Sequence, residues 1–330
     1  MDSESMVTNE TSTSQSGLVR AEGLWFADGG LVIQAETTLF RVYRELLALH
    51  AVVFRDMLTI PTPDDAEVME GCPLVRLPDN AEDTAYFLKA LLYPQFFEPF
   101  PAPTTYPIVA GVLRMSHKYD VEALRKRALA HLSALFPTTL DGWDDVSLDP
   151  TFCDTLPSYL VVVILARQVD ALWILPHAFY CLSREEDADK IIIHGDQGLE
   201  LSAADKLACL SGVRTLETTS ASEVLEFLYD PRHIPGCQTP AVCAEVRAKA
   251  RFIAEDSRRY FRGNALDDVL PLNIWRHDDW SLLELCCRTC IAEMKVNHQK
   301  ARQSVWDELP QIFGLSSWAE LERMKAEALQ

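Results

Sequence analysis

The sequence predicts an α+β domain, a short mixed sheet flanked by helices, followed by an all-α helical domain. Three observations carry this. Between Leu31 and Leu58, "LVIQA" and "LFRVYR" read as strands and "ELLALH" and "VVFRDML" as helices, all within one supersecondary unit. A second strand-then-helix pattern runs from Leu74 to Leu92. After about residue 140, the apolar residues recur almost everywhere at helical spacing. The expected division is a disordered tail over residues 1–20, the α+β domain over 21–140 and the helical domain over 141–330.

The tail is rich in Ser, Thr and Glu and poor in large apolar groups, so it cannot bury enough surface to order itself. Asp28-Gly29-Gly30 is a turn signal, because glycine takes positive φ without steric cost. "LVIQA" and "LFRVYR" flank the polar turn Glu36-Thr37-Thr38 and predict a β-hairpin. Leu46, Leu47, Val53, Phe54 and Leu58 then mark the apolar faces of two short helices. "IPTPDDAEVMEGCP" reads as a proline- and acid-rich loop, and "LVRLP" as a strand. Asp79 or Asn80 caps a helix through Leu92, where a short side-chain oxygen can accept from the free amides of the first turn. Pro94 stops that helix. "PQFFEPFPAPTTYP" reads as an extended surface loop. Helices follow at about 108–119 and after Asp120, which is expected to cap the second.

Past the linker "FPTTLDGWDD", helices are expected at about 157–169, 171–183, 203–211, 221–229, 240–262, 280–308 and 317–329. Ser202-x-x-Asp205, Ser220-x-x-Glu223 and Ser317-x-x-Glu320 fit capping boxes. Thr239-Pro240 is a cap followed by proline at the first helical position.

The 330 residues carry a formal charge of −19. Up to Leu140 there are 11 basic and 18 acidic residues, and 19 and 31 after it. Acidity spread over both halves repels phosphate backbones and anionic headgroups, so neither direct nucleic-acid binding nor membrane binding is expected. The start lacks a basic segment and an apolar core of secretory type. The most apolar window, "YLVVVILA", is far shorter than the ~20 residues that span a bilayer. The expected location is intracellular, cytoplasmic or nuclear, where the 9 cysteines stay reduced.

The chain shows no G-x-S-x-G elbow, no P-loop, no G-x-G-x-x-G and no H-E-x-x-H, so no catalytic constellation is expected. "IIIHGDQG" reads as a connecting loop. The acidic pairs Asp144-Asp145, Asp267-Asp268 and Asp278-Asp279 fall at helix starts or linkers, where acids favour the positive helix end.

The cysteines leave two readings open. Cys237-x5-Cys243 precedes one helix, and Cys287-x2-Cys290 lies on another within "CCRTC". These four can supply the soft tetrahedral set that zinc needs, if the helices pack together. Alternatively, Leu283, Cys287, Cys290 and Met294 form one apolar stripe and pack as core. A four-thiolate site would be structural, since it leaves no open position for substrate. The cofactor expectation is therefore none, with structural zinc as the alternative. Phe96, Phe97, Phe100 and Tyr106 likewise either fold back onto the core or offer an aromatic patch to a partner.

The segments "LWFADGGLVIQAETTLFRVYRELLALHAVVFRDML", "CPLVRLPDNAEDTAYFLKALLYP" and "VLRMSHKYDVEALRKRALAHL" together resemble a BTB/POZ domain, in particular the BTB proteins of fungi. The resemblance covers about Leu24 to Phe136. The C-terminal half, above all "VWDELPQIFGLSSWAEL", resembles the helical tail of those fungal proteins. Two positions depart from the family: Tyr43 stands where a histidine is common, and Ala51 where a serine is common. The resemblance implies a non-enzymatic protein–protein interaction module that self-associates, most simply as a homodimer. It places Asp28 and Arg44 where some members line a charged pocket at the dimer interface; the other reading is a turn Asp and a strand-end Arg. In members that recruit substrates to a cullin-type ubiquitin ligase, a φ-x-E motif follows the helical pair. Val68-Met69-Glu70 sits at that place, so a cullin scaffold is a second expected partner. A hydrolase or metalloenzyme using the cysteines is a third function class.

Overall fold

The computed structural model describes residues 17–60, 66–145, 155–185, 187–229, 234–260 and 270–330. It is mixed α and β, with a small five-stranded sheet followed by many helices. The chain divides into two compact units: residues to Glu98 with Gly111–Arg125, and Pro99–Ala110 with Lys126–Gln330. Residues 99–110 and 126–140, expected in the first domain, thus cluster with the helices.

In the first unit the strands are β1 (Val19–Trp25), β2 (Leu31–Ala35), β3 (Thr38–Val42), β4 (Val68–Met69) and β5 (Cys72–Leu77), in the order β1-β3-β2-β5-β4. The expected hairpin is β2–β3, antiparallel with Ile33 opposite Phe40. Its turn needs a left-handed residue, and Glu36 takes it at φ 49°. The third expected strand, β5, runs parallel to β2, with Ile33 beside Val75. Leu31, Val32, Ile33 and Ala35 are fully buried. An unbroken apolar run suits a strand covered on both faces, whereas a strand with one wet face alternates.

Two strands were not expected. β1 pairs parallel to β3 with an irregularity between Arg20 and Trp25, and it includes Val19 and Arg20 of the expected tail. "VRAEGLW" is mostly exposed, so an edge strand held by backbone pairing shows no periodic apolar signal. β4 lies within the expected acidic loop and makes a hairpin with β5. Its turn is Glu70-Gly71, with φ 48° and 80°, the sign that two-residue hairpin turns favour.

The helical pair is α1 (Arg44–His50) and α2 (Val52–Thr59). Ala51 precedes α2 and has no capping oxygen. The free amides of Val52 and Val53 instead donate to the carbonyls of Asp120 and Tyr119, at 3.5 and 3.4 Å. Phe54 stacks on the Tyr119 ring at 4.5 Å. Helix α3 (Ala81–Leu92) is capped by Asn80, which accepts from Glu82 and Asp83 amides at 2.8 and 3.2 Å. Asp79 does another job, accepting from Lys118 Nζ and the Tyr119 hydroxyl at 2.6 and 2.5 Å. Helices α4 (Tyr106–Lys118) and α5 (Glu122–Leu135) follow. Asp120 is not the cap expected for α5: it is left-handed at φ 53°, two residues before the helix starts.

The second unit holds α6 (Leu140–Asp145), α7 (Tyr159–Gln168), α8 (Leu175–Leu182), α9 (Ala188–His194) and α10 (Ala203–Thr215). After these come α11 (Ala221–Val224), α12 (Glu226–Tyr229), α13 (Pro240–Tyr260), α14 (Arg288–Ile312) and α15 (Trp318–Leu329). Most of the expected helices are present. "ADKIIIH", however, is helix α9 rather than loop. It stops at Gly195 with φ 75°, a conformation only glycine takes readily. "LDGWDD" is likewise helix α6 rather than linker.

Ser202 and Asp205 cap α10 as expected, with the Asp205 amide donating to Ser202 Oγ at 3.1 Å. The box at Ser317 does not form, and the backbone at Ser220 does not open a new helix. The chain is already π-helical through Ser220, and Ser317 makes no side-chain cap bond, while Glu320 pairs with Arg323. Asp267-Asp268 and residues 261–262 lie outside the described residues, as do most of the expected tail and residues 61–65 of the acidic loop.

The core of this unit is aromatic. Trp143 packs on His177, Tyr180 and Trp306 with centroids 4.6, 5.2 and 5.9 Å away. Trp306 stacks on Trp318 at 5.4 Å, and the Trp318 indole donates to the Trp306 carbonyl at 2.7 Å. Arg302 clamps the Asp144 carboxylate through two bonds of 2.6 and 2.9 Å. Such planar, bidentate pairs fix orientation as well as charge. Among the described residues, no helix is long and apolar enough to cross a membrane.

Candidate metal centre

Cys237, Cys243, Cys287 and Cys290 come together in the second unit, their sulfurs all within 4.8 Å of one another. Each is placed by a distinct local rule. Cys237 closes a turn, its amide donating to the Ile234 carbonyl at 3.1 Å, and Gly236 supplies φ 80°. Pro240 starts α13 because its missing N–H would be unpaired there anyway. That start puts Cys243 in the first turn, where it is 3% exposed.

The second pair departs from the sequence expectation of one helix over 280–308. A 3-10 turn spans Asp278–Leu283, and α14 begins only at Arg288. Cys287 is its extended N-cap, with φ −66° and ψ 155°. Cys290 is therefore in the first turn, 2% exposed. The sulfurs converge at a helix start, not on a mid-helix face, and the positive end of α14 favours negative charge there.

The Sγ atoms of Cys287 and Cys237 are 3.8 Å apart. A disulfide needs about 2.05 Å, so this is a contact between free thiols. The Cys243 sulfur receives the Cys287 amide at 3.2 Å and lies 3.3 Å from the Thr239 hydroxyl. Backbone amides of Gln238 and Cys290 hold the Cys287 thiol down at about 6. Burial pushes the Cys290 thiol up. Cys286, next in sequence to Cys287, turns away and donates to the Cys243 carbonyl at 3.9 Å.

An aromatic group surrounds the same segments. Phe227 packs on Trp275, Trp280 and His298 at 5.4, 5.4 and 5.6 Å. Lys295 lies over the Trp280 ring at 5.3 Å. Arg247, one turn after Cys243, donates to the Phe227 carbonyl at 2.7 Å. Helix α13 thus ties the cysteine cluster to α12, and α14 carries both Cys290 and His298.

The residues expected at contact surfaces are distributed differently. Asp28 is exposed and accepts from the Tyr43 hydroxyl at 3.0 Å. Arg44 donates to the Leu58 carbonyl at 2.6 Å, satisfying the open end of α2. Val68 is 64% exposed on β4. Met69 is half-buried. Glu70 pairs with Arg20 and with Arg41.

Of the two readings of the proline-loop aromatics, folding back onto the core holds for Phe97 and Tyr106 and not for Phe100. Phe97 and Tyr106 are buried, at 1% and 5% exposure. Phe96 lies against Tyr86 and under Lys89. Phe100 is 54% exposed, its ring nearly perpendicular to that of His131 with centroids 5.9 Å apart. Val53, expected on an apolar helix face, is exposed instead, as are Leu49 and Ile60, which the sequence reading did not single out. In a sequence they are indistinguishable from Leu47 and Phe54 of the same helices, which are buried. No protein-family model matches this chain, and no curated protein matches it significantly.

Proposed function

We propose that this chain is a non-enzymatic interaction protein of the BTB/POZ type, which self-associates and binds partner proteins through its first unit. The observation that carries the reading is the order of the sheet. A hairpin, β2–β3, is followed by the helical pair, and β5 then returns parallel to β2 before helix α3. This arrangement accompanies the three segments that resemble the family. Self-association is further supported by Leu49, Val53 and Ile60, exposed at 73%, 41% and 66% on or beside α1 and α2. Three apolar side chains in one short stretch make a surface that gains by leaving water. A stable pairing buries on the order of 1,200–2,000 Å² in all.

Size-exclusion chromatography with light scattering tests the reading. A dimer at micromolar concentration is expected; a strict monomer overturns self-association. Affinity capture with the full chain then identifies partners.

A second reading, an adaptor on a cullin scaffold, rests on Val68. It is the apolar member of Val68-Met69-Glu70 and points into solvent on a hairpin edge. Cullin binding in a pull-down that Val68→Ala abolishes supports this reading; no binding by the native chain removes it.

A further inference from the structure

We propose that Cys237, Cys243, Cys287 and Cys290 bind one zinc ion as a closed four-sulfur site, fastening the turn before α13 to the start of α14. Four sulfurs about 2.3 Å from a tetrahedral zinc stand ~3.8 Å from one another. The Cys287–Cys237 separation of 3.8 Å already has that value, and no pair exceeds 4.8 Å. Closing the remaining gap takes under roughly 1 Å, within reach of small side-chain rotations at this bond length.

Core packing does not account for the arrangement. It explains Cys243 and Cys290, which are buried, but Cys237 and Cys287 are partly exposed and still turn toward the other two. Cys286 and Cys209, which are buried cysteines serving as small apolar groups, stay outside the cluster. The surroundings also favour anionic sulfur. The Cys287 amide donates to Cys243, the Thr239 hydroxyl is placed to do so, and α14 directs its N-terminus at the site. Hydrogen bonds from neighbouring groups orient ligands and tune a metal site. The set contains sulfur alone, which suits zinc and not the hard, oxygen-seeking magnesium or calcium.

In binding, the zinc ion replaces the thiol protons, which pass to solvent, and four metal–sulfur bonds form. No redox step is involved. With every coordination position filled by protein, the ion is structural. It joins residues 44 apart, Cys243 and Cys287, and thereby holds Phe227, Trp275, Trp280 and His298 in one group.

Metal analysis of the full chain, purified without added chelator, tests the proposal. One zinc per chain is expected. Exchange with cobalt(II) should give the intense visible bands of a tetrahedral cobalt thiolate. Cys290→Ser should lose the metal and the bands, whereas Cys286→Ser, next to the set but outside it, should keep both. If Cys290→Ser fails to fold, the native chain alone decides through its zinc content and cobalt spectrum. Zinc far below one per chain together with no cobalt bands overturns the proposal. So does iron in place of zinc, or a Cys237–Cys287 disulfide in protein kept reduced throughout.

Discussion

The amide of Cys287 donates to the sulfur of Cys243 at 3.2 Å, across 44 residues of sequence. The Thr239 hydroxyl reaches the same sulfur at 3.3 Å. One thiol is therefore held from two helix starts. Thr239→Val should reduce zinc affinity about 10-fold or more, the usual cost of losing such a supporting contact, while Thr239→Ser retains it. Competition with a chromophoric chelator reads this. Equal affinities for Thr239→Val and the native chain would show that the hydroxyl does nothing for the sulfur.

Acid should weaken the helical unit. Burial first, and then the positive Arg184, holds the His177 pKa down at about 3, below the ordinary 6.5. Burial and Arg302 lower His298 to about 4. Both histidines are neutral when folded and take up protons more readily when unfolded. The unfolded state thus binds more protons below pH 6.5, and stability falls as pH drops from about 6.5 toward 4. Each histidine contributes a slope of about 1.4 kcal/mol per pH unit in that window. Urea midpoints at pH 7.5, 6 and 5 should fall in that order; a constant midpoint refutes the buried neutral histidines.

Gly212→Ala should destabilise the protein although the residue is helical. A Cβ there would stand 2.4 and 2.5 Å from two ring atoms of Phe313. The Phe313 ring is 1% exposed and packs on Phe179 at 5.3 Å, so it cannot swing aside. Overpacking of this kind costs ~1–3 kcal/mol. A melting temperature equal to that of the native chain would mean the helix and the ring part without strain.

Asn80→Ala should cost about 1 kcal/mol, since two amides of α3 lose their shared acceptor. Asn80→Asp keeps an oxygen in place and should be near neutral. If both variants melt alike, the cap is not what stabilises that helix start.

Leu49→Asp should shift the chain toward monomer in light scattering without changing its circular dichroism, because the side chain is 73% exposed. A dimer that persists at the same concentration would move the self-association surface elsewhere.

The sequence by itself determined the elements marked by short apolar runs, by helical spacing or by a capping residue. The hairpin, β5, a cap at Asp79 or Asn80 and most of the helices follow from side-chain spacing and short-range chemistry, which are local; the structure selected Asn80. It also named the four cysteines, since soft ligands are recognisable by type. Only the tertiary structure decided whether they meet. Cys237 and Cys243 reach Cys287 and Cys290 because a 3-10 turn replaces the start of a longer expected helix and makes Cys287 a cap. Likewise α2 begins at Ala51 without a capping side chain because carbonyls of Tyr119 and Asp120 satisfy its amides. β1 and β4 exist through backbone pairing at the sheet edges, which leaves no mark on side-chain pattern. Except for β4, whose partner β5 follows after a two-residue turn, the deciding partner lies far along the chain, and local propensity carries no information about which distant group will arrive.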